Sequence, residues 1–381
     1  MAPRDDPHRQ PLEALMTQLA DIAAGGKDAP LDYAMPGAFY TNPAFLDIER
    51  EAVFRRQWIC LGHAGEVPNA GDYFATELVG EPLLVVRGDD LQVRVMANVC
   101  RHRGNVVASG RGNKRFHVCG YHAWSYELDG RLRHAPMMES CPRLDPASCR
   151  LPQIRCELWH NFIFVNLDGT AAPLAPLLRP LETHIGGYHN EERHLYHVRE
   201  ETWRTNWKCL AENFMEGYHL NATHPRTLRP VTPTELCQYV PGNDAFSAYI
   251  SHYADSAPQR VPFHPDLSPE ARRYSFLFSV FPSFVITVMP HQSIFLCLRP
   301  VSVNEVAIRW GITGHEPALA PEALKRAVDF ADAFNAEDRV KLESLQVGLA
   351  SSFYEPGPLA ARDLEGTLRD FYRFMARSVA R

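Results

Sequence analysis

The sequence predicts an α+β protein in which an all-β domain precedes a domain with an antiparallel sheet flanked by helices. Three observations predict it. First, the 381 residues exceed the roughly 250–300 at which one hydrophobic core stops growing, so two domains are expected. Second, between residues 50 and 168 short β-branched and aromatic runs, PLLVVRG (82–88), LQVRVMANV (91–99) and HNFIFVNLDG (160–169), are separated by Gly/Asp turns, the texture of a small β domain. Third, strand-like runs near 245–253, 274–288 and 292–313 accompany a helix around 207–223 and a long helix from Pro321 to about Ala350. Pro321 suits a helix start because the first turn does not use its missing N–H. The expected division is an N-terminal helical segment over 1–49, the β domain over 50–168 and the α+β domain over 169–381. Within the first segment, Leu12, Leu15, Met16 and Leu19 share one helical stripe, and PAFLDIEREAVFRRQW (43–58) reads as a second helix. The Pro-containing stretch AAPLAPLLRPLETHIGGY reads as a link between domains.

Hydrophobic residues make up 45% and charged residues 22% of the chain, which excludes disorder, collagen and a pure coiled coil. A net charge of -6 argues against nucleic acid as a partner. No apolar run reaches the ~18 residues of a membrane span, and the N-terminus carries acids where a signal peptide wants bases. The expected compartment is the cytoplasm. Nine cysteines, an odd number spread thinly, do not form a secreted disulfide framework. Cys60, Cys141, Cys149, Cys156, Cys209, Cys237 and Cys297 stand singly and are expected to be buried thiols.

Cys100 and Cys119 differ. Cys100-Arg-His102-Arg-Gly104 and Cys119-Gly-Tyr-His122-Ala-Trp-Ser each offer one thiolate and one imidazole. Zinc modules usually pair like with like, and structural zinc is the alternative here. Mixed loops suit a [2Fe–2S] cluster with two cysteines on one iron and two histidines on the other, the Rieske ligation. Gly104 and Gly120 would let the backbone approach the sulfides closely. CRHRG followed by CGYHAWSYELDGRL resembles the Rieske domain of the Rieske non-haem iron oxygenases, α (terminal oxygenase) subunit.

The second dense stretch is NWKCLAENFMEGYHLNATHP (206–225). His219 and His224 would lie about 140° apart on an ideal helix, so they converge only if the helix ends between them, which Pro225 permits. By themselves two such histidines are also what a core or surface helix carries. The stretch resembles the E-N-x-x-(D/E)-x-Y-H-x₄-H segment of the same oxygenases. Their third iron ligand opens a D-x₇-Q-x-G-L pattern, here Asp338…Gln346-Val-Gly348-Leu349. The other reading of Asp338 is a solvated acid pairing with Lys341. The resemblance implies a mononuclear Fe(II) held by His219, His224 and Asp338, the facial triad that leaves positions open for oxygen.

Glu216, three residues before His219 and read as lying on the same helix face, matches the family acid that links a Rieske histidine of a neighbouring subunit to an iron-ligand histidine. This family acid is usually Asp. Glu resembles a subgroup acting on quaternary ammonium compounds (glycine betaine, carnitine, choline), although that subgroup often has Cys where this chain has Gly217. The resemblance covers about residues 40–350. It implies O₂-dependent hydroxylation of a small molecule, favoured as oxidative N-demethylation of a quaternary amine, with aromatic-ring (di)oxygenation as the alternative. No dinucleotide-binding G-x-G-x-x-G or P-loop is present, so a separate NAD(P)H-dependent flavin/iron–sulfur reductase is the expected partner, and electron transfer across subunits implies a homotrimer. Trp203, Phe214, Phe281 and Phe284 are candidates for an aromatic cage around a cation.

Overall fold

The computed structural model describes residues 9–380 apart from 27–29, 139–140, 142–143 and 146. The first eight residues, part of the stretch read as lacking a signal peptide, lie outside them. The chain forms two compact units, Cys60–Ala171 and residues 1–59 together with 172–381. None of the described helices is long and apolar enough to cross a membrane.

The smaller unit is built from β1 (Ile59–His63), β2 (Asp72–Leu78), β3 (Glu81–Arg87), β4 (Val93–Ala97), β5 (Arg111–Asn113), β6 (His117–Val118), β7 (Ser125–Tyr126), β8 (Leu132–His134), β9 (Gln153–Trp159) and β10 (Phe162–Asn166). One sheet has the order β1-β10-β9-β4-β3-β2-β5, and β6-β7-β8 form a small second sheet. Leu83, Leu84, Val85 and Val86 of β3 are all buried, as a β-branched central strand should be. Two-residue turns close two hairpins. Leu78 pairs with Glu81 across Val79-Gly80, and Trp159 with Phe162 across His160-Asn161. All four turn residues have positive φ, the signature of type I′ turns whose twist matches the strands. HNFIFVNLDG therefore begins as a turn and becomes a strand only at Phe162.

The larger unit contains α1 (Arg9–Ala24), α2 (Ala38–Thr41) and α3 (Pro43–Glu49), which continues as a π-helical turn over Arg50–Phe54. Leu15 and Leu19 of α1 are buried, whereas Leu12 and Met16 are half-buried. The N-terminal helices do not stand apart as a segment of their own. Glu49 pairs with Lys208 at 2.5 Å with both side chains buried, and Tyr40 donates to Glu212 at 3.0 Å. These contacts join residues 38–54 to the larger unit.

The stretch read as a link holds α4 (Leu174–Ile185). Pro180 in its interior costs about 3 kcal/mol. Leu174, Leu178, Leu181 and Ile185 are buried on one face and contribute roughly 1.5–3 kcal/mol each, so the stripe wins. Next come β11 (His194–Trp203), α5 (Trp207–Met215), α6 (Leu220–Thr223), β12 (Cys237–Val240), β13 (Phe246–His252), β14 (Tyr274–Val280), β15 (Phe284–Val288), β16 (Ser293–Ser302), β17 (Glu305–Gly314), α7 (Pro321–Leu349) and α8 (Arg362–Val379). The seven strands form one antiparallel sheet, ordered β11-β17-β16-β15-β14-β13-β12. β12 to β17 form a six-stranded meander, and β11 joins beside β17, so that β11 and β12 are the opposite edges. α8, which the sequence reading did not single out, buries Leu368, Phe371, Tyr372 and Met375. Of the seven solitary cysteines, Cys60, Cys209, Cys237 and Cys297 are buried, and Cys141, Cys149 and Cys156 are half-buried.

Candidate metal centres

The smaller unit presents two loops with the same backbone plan. In the first, Cys100 N–H donates to Asn105 O (2.9 Å) and Gly104 N–H to Cys100 O (3.0 Å). In the second, Cys119 N–H donates to Trp124 O (2.8 Å) and Ala123 N–H to Cys119 O (3.1 Å). The fifth residue of each loop has positive φ, Gly104 at 76° and Ala123 at 57°. Gly fits that conformation without strain, and Ala adopts it at some cost. Each loop is thus a closed ring of six residues, with its cysteine at the root and its histidine at the tip.

The four side chains converge. Cys100 and Cys119 are buried, His102 is half-buried and His122 exposed. The two imidazoles meet edge to face at 4.5 Å between centroids, and Trp124 stacks on His102 at 5.0 Å. Tyr126 Oη lies 3.2 Å from Cys100 Sγ and accepts Arg101 N–H at 2.9 Å. Burial pushes the Cys119 thiol up, but N–H groups of Tyr121 and His122, the Cys100 thiol and the Asn105 amide hold it below its ordinary value. Groups that stabilise one thiolate also stabilise cluster sulfur ligands. A Cβ on Gly120 would meet nothing within 4 Å, so the loop tip faces open space. Two thiols, two imidazoles, the bare backbone of Gly120 and the unpartnered buried His102 Nδ1 fit a Rieske cluster. They fit zinc less well, because neither loop supplies a like pair.

In the larger unit the helix that carries the second motif breaks early. α5, capped by Asn206, ends at Met215, and Glu216 is extended (φ -132°, ψ 152°). Glu216 is therefore not on a helix face shared with His219. It reaches the histidine across the break instead: its carboxylate accepts the N–H groups of Tyr218 and His219 and contacts His219 Nδ1. Gly217 sits in the break and is packed so closely that a Cβ there would lie 2.3 Å from Cys237 Sγ. The thiol of β12 fills the space that a cysteine side chain at 217 would need.

His219 then caps the short helix α6 and His224 ends it, so their rings face each other at 5.2 Å. Asp338 comes from α7, whose inward stripe is Phe334, Asp338, Leu342 and Gln346. Gln346 Oε1 accepts Asn206 N–H at 2.7 Å, fixing α7 against the start of α5. Asp338 Oδ1 lies 3.0 Å from His224 Nε2 and 3.7 Å from His219 Nε2. Asp338 is 2% exposed and His224 0%, so Asp338 is not a solvated partner of Lys341. His224 Nε2 and Asp338 Oδ1 have no hydrogen-bond partner. Buried polar atoms left so are costly. One ion facing all three ligating atoms removes the cost, and two imidazoles with one carboxylate are the donor set for Fe(II).

Each histidine is held from behind by a carboxylate. Glu216 serves His219, and Glu337 Oε2 lies 2.8 Å from His224 Nδ1. A carboxylate only accepts, so both Nδ1 atoms carry the proton and both Nε2 lone pairs point inward. Burial opposes charge on His219, but Glu216 and Asp338 outweigh it and raise its pKa. Glu337 was absent from the sequence reading, although its position directly before Asp338 was a usable signal.

The triad opens into a pocket walled by Phe214, Tyr249, Tyr253, Phe330 and Phe334, with apolar Leu228, Val231, Leu277 and Ile294 and the cation Arg260. Of the four aromatic-cage candidates only Phe214 lines it. Trp203 donates to Glu201 at 3.1 Å, Phe281 packs on Phe371 and Phe374, and Phe284 is buried in β15.

Two family models match this chain: the Rieske [2Fe-2S] domain over residues 57–155 and the ring hydroxylating alpha subunit (catalytic domain) over 185–381. The chain belongs to the Rieske oxygenases. This Rieske oxygenase is 30% identical, over 84% of its length and 86% of the relative's, to the carnitine monooxygenase oxygenase subunit of Escherichia coli K12. It is 26% identical to the glycine betaine monooxygenase oxygenase subunit of Pseudomonas aeruginosa PAO1, over 91% and 89%. The crystal structure of the quaternary ammonium Rieske monooxygenase CntA shares its fold, with a TM-score of 0.80 at 23% identity over 94% of this chain and 97% of that one. As an oxidoreductase of this family it uses a [2Fe–2S] cluster and mononuclear iron and works with a separate reductase.

Proposed function

We propose that this chain is the terminal oxygenase of a monooxygenase system that hydroxylates a carbon bonded to the nitrogen of a small quaternary ammonium compound. The observation that carries the reading is the convergence of His219, His224 and Asp338 on a pocket walled by five aromatic rings. Aromatic faces attract quaternary ammonium groups, and the relatives act on carnitine and glycine betaine. Hydroxylation next to nitrogen gives a product that collapses to an aldehyde and a smaller amine.

In this reading Cys100, His102, Cys119 and His122 hold the cluster, and His219, His224 and Asp338 hold the iron. When bound, the iron supplies reductive activation of O₂, fed with electrons by the cluster. The chain's own residues arrange the rest. Glu216 and Glu337 fix the tautomers of the ligand histidines. Burial pushes the Tyr253 phenol up to about 12 and that of Tyr249 well above its usual range, so both stay neutral and offer ring faces to a cation. The apolar lining keeps water from the reacting carbon. Glu216 is 9% exposed and bridges to a cluster histidine of a neighbouring subunit, which makes the working assembly a homotrimer. Electrons come from an NAD(P)H-dependent flavin/iron–sulfur reductase in the cytoplasm.

The test is metal analysis and electron paramagnetic resonance of the reduced protein, followed by substrate screening. Expected are cluster and mononuclear iron in each chain, a Rieske signal, and O₂ consumption coupled to quaternary amines. A colourless zinc protein, or coupling to arenes alone, would overturn the reading.

A further inference from the structure

Arg260 lies in the connection between β13 and β14 and lines the same pocket as His219, His224 and Asp338. Other arginines of this unit are satisfied. Arg193 donates to Met289 O at 2.9 Å, Arg273 to Ala254 O at 2.8 Å, and Arg199 pairs with Glu201 at 2.6 Å. Arg260 has no hydrogen bond or ion pair among the described residues, and its Nε is buried without a partner. Its contact is with the Tyr253 ring, 5.8 Å from the guanidinium carbon. A guanidinium carries five donors in a planar fork that matches a carboxylate, and desolvating such a cation without an anion is costly.

The charge of the pocket sharpens the point. Among the described residues, Asp338 is the one acidic side chain lining it, and that acid faces the two histidines. A substrate bearing only a positive charge would enter against Arg260 with no free carboxylate to offset the repulsion. Nearby His291 adds no charge, because burial together with Arg260 and Arg193 lowers it to about 4.

We propose that Arg260 anchors an anionic group of the substrate, so that the substrate is a zwitterion: a carboxylate held by Arg260 and a quaternary nitrogen among the rings beside the triad. This rests on the proposed reading of the pocket as a quaternary ammonium site. It separates carboxylate-bearing betaines from choline, which shares the cationic head and lacks the anion.

The experiment uses the full-length holoenzyme and measures binding by calorimetry and substrate-coupled O₂ consumption. Glycine betaine and carnitine are compared with choline in wild type, Arg260→Gln and Arg260→Lys. In wild type at least one of the two carboxylates should bind at least ~30-fold more tightly than choline, the usual loss when a buried charge pair is broken. Arg260→Gln should lose that preference while binding choline as well as or better than wild type, and Arg260→Lys should recover part of it. Choline handled as well as the carboxylates by wild type, or an unchanged preference in Arg260→Gln, would overturn the anchor. Turnover of an aromatic carboxylate or sulfonate alone, lost in Arg260→Gln, would overturn the quaternary ammonium reading while upholding the anchor. Turnover of an uncharged arene alone, equal in wild type and Arg260→Gln, would overturn both.

Discussion

The two candidate metal centres are built on opposite plans. In the smaller unit, all four donors lie within two short loops with the same backbone hydrogen bonds, and His122 is exposed. In the larger unit, the donors come from a broken helix and from a residue 114 positions after His224, and His224 and Asp338 are nearly inaccessible. The difference follows from the work proposed for each. A centre that exchanges electrons with other proteins must present a ligand edge to solvent, whereas a centre that handles O₂ beside an organic substrate must exclude water. Local loops suffice for the first. Only a tertiary enclosure provides the second.

The comparison breaks most decisively at the loops. Cys100→Ser or His122→Ala should bleach the visible spectrum and abolish turnover, because a lost ligand opens the cluster. An intact two-iron resonance in either variant would contradict the assignment. The complementary change, Asp338→Ala, should lower mononuclear iron and turnover while the cluster spectrum survives, as separately built sites require. Turnover at the wild-type rate would mean that another carboxylate holds the iron.

The carboxylates behind the histidines should rank next. Glu216→Gln should keep both metals and a reducible cluster but lower turnover by ~10²-fold, against ~10-fold lower iron affinity for Glu337→Gln, within the range for outer-shell losses. Stopped-flow reoxidation of the cluster by O₂ with substrate present distinguishes them, since only Glu216 is proposed to carry electrons. Normal reoxidation in Glu216→Gln would send the electrons by another route.

The smallest effect concerns Glu212, which burial pushes up to about 8 against the opposing pull of Tyr40, Lys208 and Tyr372. Unfolded, this carboxyl loses its proton near the ordinary 4.5; folded, it keeps it to about 8. The folded state therefore binds more protons between those values, and stability falls as pH rises through that window. Glu212→Gln should leave Tm near pH 5 unchanged and raise it by ~2–5 °C at pH 8.5. A thermal scan across pH in which the variant keeps the wild-type slope would assign that slope to another group.

The Cys/His loops proposed to hold the cluster were legible because each cysteine brings its histidine within three residues. No distant contact is needed to see the pairing. His219 and His224 were legible only as a weak pair, and resemblance rather than spacing supplied Asp338. Glu216 does contact His219, but not from a shared helix face: α5 ends at Met215, and Gly217 lies against the Cys237 thiol of β12, a contact that no local pattern shows. The aromatic wall was read even less well, with Phe214 kept and Trp203, Phe281 and Phe284 packed elsewhere, because a ring in a strand or helix gives no sign of which surface it meets.

By itself, the sequence determined the fold class, the Cys/His loops and the long helix from Pro321, since these depend on neighbouring residues, periodicity and turn chemistry. The tertiary structure alone decided that Pro180 lies inside a helix, that Glu337 backs His224, that α8 packs on α5, and that Arg260 lines the triad pocket with no hydrogen bond or ion pair among the described residues. Each of these depends on burial against residues tens to hundreds of positions away, where packing and desolvation outweigh local preference.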